Sequence, residues 1–360
     1  MDVRLIERML NASELFYYSQ RFRAKLFILV VDSLQTFKEL FLDLHIISDS
    51  HIRLAVIVND PAGIEEEISA QNSYDDFLRL LSFDSAEFDA DMLNKDIRKI
   101  FSRNHLPILT CKTALTSEEV VSSAYRLGVK AKAEKVVFAG MTQVLHHAGK
   151  KIHRVNPADI NKPGFKPGKL QALILNRALE TKIDSVIIEP VSGQLYLEIF
   201  THVGSGTLIS VHQREVFRHA RAEDINEIYY LMLPYIQENK ILPVHRREIM
   251  ETLKDYYVLT FDNSVIATLK ITDYGEAVEI GKLCTLPRYR GEGLTEELIK
   301  RVFAEIRSKY KYAFALTINP AAAQLFIEIG FKSEQRENLP QDWQKHYDFT
   351  RPSMGFIYHF

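Results

Sequence analysis

Apolar and polar positions alternate in the first two hundred residues as a repeating series of strands and helices. The run Leu26–Val31 is apolar at every position, which is typical of a strand buried on both faces of a sheet. Helical spacing follows over 33–48, and a second apolar run covers Leu54–Val58. This order predicts an open α/β sheet that is mostly parallel. The same pattern predicts strands at Pro107–Leu109, Lys135–Ala139 and Ser185–Glu189, helices at 3–20, 117–128 and Gly168–Thr181, and up to two helices within the acidic stretch 60–105.

The pattern changes after about residue 202. A strand and a helix capped at Asp224 are expected first, and short strands separated by turn residues follow from Tyr257 onward. Such a succession predicts antiparallel hairpins. We therefore expect two domains, 1–216 and 217–360, the first α/β and the second α+β. The hairpin strands are predicted at Tyr257–Phe261, Val265–Thr272 and Ala277–Leu286.

Composition agrees with two ordinary globular domains. The chain has 360 residues, 46% of them hydrophobic and 26% charged, and its formal net charge is −2. Because no basic excess exists, a nucleic-acid partner is not expected. No apolar run approaches the ~20 residues that span a bilayer, and the first residues lack the pattern of a signal peptide. The expected location is the cytoplasm, without a membrane partner.

The two cysteines, Cys111 and Cys284, are far apart in sequence. Neither has a second cysteine at metal-binding spacing, and one pair cannot make a disulfide framework. We expect two buried thiols in a reducing compartment and no metal.

The segment from Glu279 to Ile306 carries the clearest chemistry. A strand leads through Pro287 into a loop with Gly291 and Gly293, and an amphipathic helix follows. Glycines permit the tight turn and remove the Cβ atoms that would block a diphosphate. The amides at the helix start then bind the anion. A plain strand-turn-helix connection with two glycines is the alternative.

The context of this loop resembles motif A of the GNAT acetyltransferase superfamily. R-x-x-G-x-G follows a strand, and Tyr312–Ile318 with NPAAAQLFIEIGF resembles the family's next strand, Asn-bearing loop, helix and closing Gly-Phe. The resemblance implies a domain that uses acetyl-CoA as co-substrate. The residues implied at the cofactor are Leu283, Cys284, Thr285, Arg288, Tyr289, Arg290, Gly291, Glu292, Gly293, Leu294, Thr295, Asn319 and Phe326.

In this family the acetyl group passes directly to a neutral amine, and backbone amides near Leu283–Thr285 would polarise the thioester carbonyl. Glu279 is the candidate base or substrate contact, with an exposed strand glutamate as the alternative. Phe326 stands where many members have a tyrosine acid and cannot donate a proton. Tyr347 is the candidate replacement, and Cys284 is expected to pack rather than to act as a nucleophile.

A narrower resemblance is to the acetyltransferase domain of bacterial N-acetylglutamate synthases, carried by VEIGKLCTLPRYRGEG and LPQDWQKHYDFTRPSMGF. It implies glutamate as acceptor, with Arg351 and Ser353 at the substrate carboxylates, since a guanidinium pairs with a carboxylate through two hydrogen bonds. Arg246 matches the family's second arginine, but Arg247 replaces the serine after it. Lys282 stands where cysteine is common. Another amine therefore stays open as the acceptor.

The N-terminal half resembles the amino-acid-kinase domain. This domain is found in acetylglutamate kinase and, fused to the acetyltransferase domain, in the synthase. GKLQALILNRALETKIDSVIIE carries this resemblance. The phosphate-binding glycines are missing, because Val31-Asp32 and Asn59-Asp60 occupy their places. Side chains and a negative charge there oppose phosphate, so kinase activity is not expected. Lys169, at the kinase's lysine position, is interpreted as a structural remnant.

The synthase resemblance further implies arginine as an effector near Glu198, Gly204 and Gly206, and a homo-oligomer built through the helix 3–20. Three functions remain open. They are acetyl transfer to glutamate, acetyl transfer to another small amine, and a non-catalytic role as a regulatory partner protein.

Overall fold

The computed structural model divides the chain into two compact units, residues 1–212 and 213–360. It describes residues 15–73, 76–84, 88–147, 149–158, 166–201, 204–211, 215–261, 264–291 and 293–360. Of the helix predicted over 3–20, residues 15–21 are helical, and the part before residue 15 lies outside the described residues. Within the described ranges, none of the helices combines the length and the apolar character that a membrane crossing requires.

The first unit is built on an eight-stranded sheet. Its strands are β1 (Leu26–Val31), β2 (Arg53–Val58), β3 (Leu78–Phe83), β4 (Leu106–Cys111), β5 (Lys135–Ala139), β8 (Arg154–Val155), β9 (Asp184–Ile188) and β10 (Thr207–Ile209), and β6 (His146–His147) pairs with β7 (Lys150–Lys151) apart from them. The order across the sheet is β3-β4-β2-β1-β5-β9-β10-β8. The first six strands in that order are parallel, and β10 runs antiparallel to β9. The mostly parallel α/β sheet predicted from the pattern is thereby confirmed.

Helices cover both faces of this sheet, and each face has its own apolar cluster. The helix predicted over 33–48 is wrong as a single element, because it is interrupted at Leu40, where φ is −93° and ψ is 3°. Strand β3 was not predicted. It lies at the sheet edge, and its middle residues are partly exposed, so its sequence lacks a continuous apolar run. The helices are α1 (Leu34–Glu39), α2 (Phe41–Asp49), α3 (Ile64–Asn72), α4 (Ala90–Ser102), α5 (Ser117–Ala131), α6 (Lys169–Thr181) and α7 (Gln194–Phe200).

The second unit is built on a seven-stranded sheet. Its strands are β11 (Glu215–His219), β12 (Tyr256–Phe261), β13 (Ser264–Tyr274), β14 (Ala277–Thr285), β15 (Tyr312–Thr317), β16 (Lys332–Glu334) and β17 (Met354–His359). The order across the sheet is β11-β12-β13-β14-β15-β17-β16. All neighbours are antiparallel except β14 and β15, which run parallel. The predicted hairpins are therefore present.

The helices of the second unit pack on this sheet around one large apolar cluster. They are α8 (Ile225–Gln237), α9 (Arg246–Glu251), α10 (Leu294–Ile306), α11 (Pro320–Ile329) and α12 (Gln341–Gln344). In α10 the apolar positions that the sequence singled out, such as Leu298 and Val302, are buried. A glycine-bearing loop therefore precedes a firmly anchored helix.

Asp224 occupies the N-terminal cap position of α8, as predicted. A 3-10 turn, Ala222–Asp224, precedes the helix, and the Asp224 side chain makes no capping hydrogen bond to it. The Asp224 carboxylate instead accepts hydrogen bonds from the Arg221 amide at 2.7 Å and from both terminal nitrogens of Arg218 at 2.5 and 3.0 Å. Arg218 on β11 therefore binds the carboxylate that would otherwise cap the helix, because a guanidinium that donates two hydrogen bonds is a stronger partner than a backbone amide.

The backbone at Gly206, just before β10, lies close against β9. A Cβ there would lie 2.3 Å from the Ile187 carbonyl oxygen and 2.6 Å from a Val186 methyl. We expect Gly206→Ala to lower the free energy of unfolding by about 2–3 kcal/mol, because the backbone must shift. Gly168→Ala is the matched control, since its Cβ would meet only the Gln171 side chain, at 3.5 Å. Urea unfolding measures both, and equal losses would contradict the close approach.

Candidate functional site

Strands β14 and β15 separate partway along their length. Ala277–Ile280 pair with Tyr312–Ala315, and beyond Ile280 the described residues of β14 continue to pair with β13 only. A bulge against β13 lies at this point, and Lys282 adopts a left-handed φ of +50°. Such bulges are common next to active sites because they redirect side chains. The divergence opens a groove with an unpaired backbone edge.

Tyr235 on α8 contacts that edge. Its hydroxyl donates to the Thr285 carbonyl at 2.7 Å and accepts from the Thr285 amide at 3.1 Å. The next amide, of Leu286, bonds in the opposite direction to Ile266 on β13. Because successive amides alternate along a strand, the Leu283 amide faces the same open edge as that of Thr285. The role of Tyr235 was missed, since a tyrosine within a helix carries no signal for it.

The predicted diphosphate loop follows the open edge. Gly291 and Gly293 have φ of +84° and +78°, and nothing lies within 4 Å of a Cβ built at either position. Gly293 precedes α10, whose Thr295 hydroxyl lies 2.9 Å from that of Thr285. Arg290 is exposed, with its guanidinium 4.8 Å from the Tyr235 ring centre. The loop thus has the space and the positive charge that a diphosphate requires.

Several other predicted cofactor residues are core residues. The ring of Phe326 packs on Phe331 and Phe356 at 5.1 and 5.6 Å within the hydrophobic core. The Leu294, Tyr289 and Cys284 side chains are buried in the same core. They can support the loop, while backbone atoms alone remain for a cofactor. Burial raises the pKa of the Cys284 thiol, which disfavours the thiolate that a nucleophile needs.

The remaining predicted cofactor positions are less informative. Asn319 caps α11, accepting from the Ala321 amide at 3.1 Å. The Arg288 side chain and Glu292 lie outside the described residues.

A cavity of about 180 Å³ adjoins the divergence. The structure brings five predicted residues together there, although Glu279 and Ser353 are far apart in sequence. Arg246 is not among the described lining residues. Its guanidinium instead lies 4.0 Å from the Tyr229 ring centre and donates to Asn226 at 3.0 Å. The predicted residues in the lining are Glu279, Lys282, Tyr347, Arg351 and Ser353.

Glu279 is half-buried in this lining. Burial raises the pKa of its carboxyl group, and hydrogen bonds from Trp343 and Tyr274 and the charges of Lys270 and Lys282 oppose this shift. A carboxylate with a raised pKa is a stronger base than an exposed glutamate. This environment suits proton abstraction.

The cavity has an excess of positive charge. Among the described residues that line it, Lys240, Lys270, Lys282 and Arg351 are cations, and Glu279 is the carboxylate. Lys282 donates to the Leu242 carbonyl at 3.0 Å, and burial lowers the pKa of its amine. Arg351 donates to the Asn239 carbonyl at 3.2 Å. Neither cation forms an ion pair with a described carboxylate, so both can bind an anionic ligand.

Tyr347 lines the same cavity as the β14 residues. Its hydroxyl forms a short hydrogen bond with Ser353, and its ring stacks on Trp343 with ring centres 4.3 Å apart and an interplanar angle of 26°. Trp343 was not singled out from the sequence. Its indole belongs to a buried aromatic cluster with Phe314 and stacks on the predicted proton-transfer residue Tyr347.

In the first unit, side chains surround the turn that the sequence resemblance aligns with a kinase phosphate loop. The α1 amides at Leu34 and Thr36 donate to Asp60 at 3.3 Å and to Ser33 at 3.2 Å. A Cβ on Gly140 would lie 2.3 Å from an Asp32 carboxylate oxygen. The helix N-terminus is therefore already bonded, and a fixed carboxylate lies beside it.

The predicted effector residues lie elsewhere in this unit. The buried Glu198 carboxylate accepts from the amides of Ser205 and Gly206 at 3.0 and 3.2 Å and lies 3.5 Å from the Lys135 amine. Both cysteines are free and buried. The search for three or more His, Cys, Asp or Glu side chains arranged around a metal position found no such group in the described part of the chain.

Comparison with known proteins agrees with this arrangement. Residues 222–331 match the acetyltransferase (GNAT) family. Amino-acid acetyltransferases from Pseudomonas paraeruginosa and Pseudomonas syringae pv. tomato are 29% and 27% identical over 244 and 281 residues, which are 65% and 73% of this chain. These alignments cover 56% and 64% of the relatives' own lengths.

The fold has a solved counterpart. The N-acetylglutamate synthase of Neisseria gonorrhoeae, complexed with coenzyme A and L-arginine, superimposes with a TM-score of 0.59 at 17% sequence identity, covering 98% of this chain and 99% of that one. The likeness thus extends over both units. In its fold the chain is similar to the N-acetylglutamate synthase of Neisseria gonorrhoeae, and its residues 222–331 match the GNAT acetyltransferase family.

Proposed function

We propose that the protein transfers the acetyl group of acetyl-CoA to the α-amino group of glutamate. The observation that carries this proposal is the cavity beside the divergence of β14 and β15, where Glu279 faces an excess of cations. Glutamate brings two carboxylates and one amine, and cations with a single base are complementary to that set. Transfer to another anionic amine is the second candidate, because Lys282 and Arg246 depart from the family pattern.

Acetyl-CoA fits the groove by its chemistry. Gly291 and Gly293 leave open space next to the N-terminus of α10, and Arg290 adds a positive charge. The bound thioester supplies the acetyl group. The Leu283 amide, on the open edge of β14, would donate to the carbonyl oxygen as negative charge develops there.

The remaining steps belong to the cavity residues. Arg351 and Lys282 hold the carboxylates of the acceptor and orient its amine toward the groove. Glu279 takes a proton from the amine, directly or through water, as the nitrogen–carbon bond forms. The carbon–sulfur bond breaks, and Tyr347 protonates the leaving thiolate. Direct transfer of this kind requires no thiol nucleophile, which agrees with the burial of Cys284.

The first unit is proposed to have a regulatory role without phosphoryl transfer. The filled N-terminus of α1 and the Asp32 carboxylate both oppose a nucleotide phosphate. An arginine effector near Glu198 would compete with Lys135 and two amides for that carboxylate. A cytoplasmic homo-oligomer remains part of the proposal, as the sequence resemblance implies.

Release of CoA from acetyl-CoA, measured against a panel of amino acids, tests the activity. Turnover with glutamate supports the first candidate, and turnover with other amines alone selects the second. Binding of acetyl-CoA without any turnover would favour a non-catalytic partner protein. Arginine is added to the active protein, and unchanged rates at saturating arginine would remove the effector proposal.

Gly291→Trp is expected to abolish CoA release, because the open space at its Cβ lies where the diphosphate is proposed to bind. Gly275→Trp is the matched control. It lies in the β13–β14 turn with φ of +74°, also has no atom within 4 Å of its Cβ, and carries the same cost of about 1–2 kcal/mol for a left-handed side chain. Equal activity losses in both variants would contradict the cofactor groove.

Arg351→Ala is expected to raise the KM for glutamate about 30-fold, since an acceptor carboxylate left without its partner costs about 2 kcal/mol. Steady-state kinetics with varied glutamate provide the measurement. Arg247→Ala removes an exposed arginine that pairs with Glu251 at 2.8 Å, and its KM should not change. An unchanged KM in Arg351→Ala would remove this residue from the acceptor site.

A further inference from the structure

We propose that Tyr235 competes with the cofactor for one place in the groove. Its hydroxyl bonds the two backbone groups of Thr285 that an amide of acyl-CoA would also bond, so cofactor binding exchanges the side chain for the ligand. Because the competing ligand is the cofactor of the proposed acetyl transfer, this exchange rests on the proposed function.

The backbone groups of Thr285 face the open side of β14. Thr285 lies opposite Ala267 on β13, and the next residue, Leu286, donates its amide to the Ile266 carbonyl of that strand at 2.9 Å. Successive residues of a strand direct their amides and carbonyls to opposite sides. The Thr285 amide and carbonyl therefore point away from β13, to the side where pairing with β15 ends at Ile280.

The Tyr235 hydroxyl bonds this edge as the peptide group of a neighbouring strand would. It donates to the Thr285 carbonyl at 2.7 Å and accepts from the Thr285 amide at 3.1 Å. The Nε–H of Arg290 donates to the same hydroxyl at 3.3 Å. One proton and two lone pairs are all that a hydroxyl offers, so its bonding capacity is used in full. Burial raises the pKa of Tyr235, which keeps the donating proton in place.

An amide group combines a donor and an acceptor in the same way, and the arm of acyl-CoA between diphosphate and thioester carries amide groups. The loop proposed for the diphosphate, with Gly291 and Gly293, follows Thr285 in the chain, and the Leu283 amide proposed for the thioester carbonyl precedes it. An arm that connects these two places passes Thr285. The single amide proton of Thr285 cannot serve Tyr235 and the arm at once, so one of them must leave.

The helical turn that carries Tyr235 can release it. Pro234 lies inside α8 immediately before Tyr235, and because proline has no N–H this last turn has one helical hydrogen bond fewer. Arg290 lies beside the proposed diphosphate site and bonds the same hydroxyl. A guanidinium binds a phosphate group more strongly than a neutral hydroxyl. Diphosphate binding therefore draws Arg290 away and weakens the hold of Tyr235 on the edge.

Binding of coenzyme A to the full chain, measured by isothermal titration calorimetry, tests the exchange by the sign of the change. Tyr235→Phe keeps the ring beside Arg290 and removes the competing hydroxyl. Competition lowers the apparent affinity by the fraction of molecules in which the groove is open, so this variant is expected to bind coenzyme A about fivefold more tightly. A hydroxyl that supported the groove or bonded the cofactor would instead give weaker binding when it is removed, and weaker binding overturns the exchange.

Tyr229→Phe is the matched control. Tyr229 lies on the same helix, its ring also lies beside an arginine, with the Arg246 guanidinium 4.0 Å from the ring centre, and its hydroxyl has no hydrogen-bond partner among the described residues. Its Kd for coenzyme A should equal that of the unmodified protein. An equal gain in affinity in both variants would show a general effect of losing a tyrosine hydroxyl from α8, and it would contradict the exchange.

A second measurement needs no cofactor. Amide hydrogen exchange at Thr285 should be about tenfold faster in Tyr235→Phe, because the amide loses its acceptor. The Leu286 amide is the internal reference, since its bond to Ile266 is unchanged by the substitution. Addition of coenzyme A should leave the Thr285 amide protected in both proteins, as the ligand then supplies the acceptor.

The outcomes separate this exchange from the function beneath it. If coenzyme A binds but Tyr235→Phe binds it no more tightly, the competition is wrong and the proposed acetyl transfer stands. If the unmodified protein and the variant both fail to bind coenzyme A, the proposed function fails, and hydrogen exchange still decides whether Tyr235 holds the edge. Equal exchange of Thr285 in the two proteins overturns the role of Tyr235 in either case.

Discussion

The second unit depends on the point at which two parallel strands stop pairing. A buried sheet normally satisfies every backbone amide and carbonyl along its strands, and leaving that pattern exposes polar groups that need other partners. Here β14 keeps its bonds to β13 and loses β15 after Ile280. Tyr235 binds both polar groups of Thr285, so the divergence remains stable. The groove, the loop proposed to bind a diphosphate and the cavity proposed to bind the acceptor all lie next to this separation.

The cavity beside it combines opposing electrostatic effects. Burial favours a neutral Glu279 and a neutral Lys282, while each charge favours the other in its ionised form. The protonation of either group therefore depends on the charge of the other.

Much of the architecture could be predicted from the sequence because burial leaves a periodic record. Leu26–Val31 and the apolar face of α10 are buried where the spacing predicts. The edge strand β3 and the interruption at Leu40 could not be predicted, since their exposure and geometry depend on neighbours distant in sequence. The loop after β14 was predictable because its glycines and charges are contiguous.

The cavity residues were harder to predict for a related reason. Arg351 and Glu279 came from a family resemblance, and the cavity joins them as lining residues, whereas Arg246 and Phe326 followed the same resemblance but have other partners. Tyr235 and Trp343 act through contacts that only tertiary packing creates, so no local pattern marks them.

The turns that follow the central strands β1 and β2 of the first sheet have a further consequence. The Ser33 and Thr36 hydroxyls donate to the Asp32 carboxylate, and Asp60 accepts from the Leu34 amide at the start of α1. Side chains of the protein itself therefore satisfy the helix start that the sequence comparison with kinases would assign to a phosphate. Restoring glycines alone would leave those carboxylates in place. Removing them as well would leave the Leu34 amide without the partner that Asp60 provides, which we expect to destabilise the start of α1.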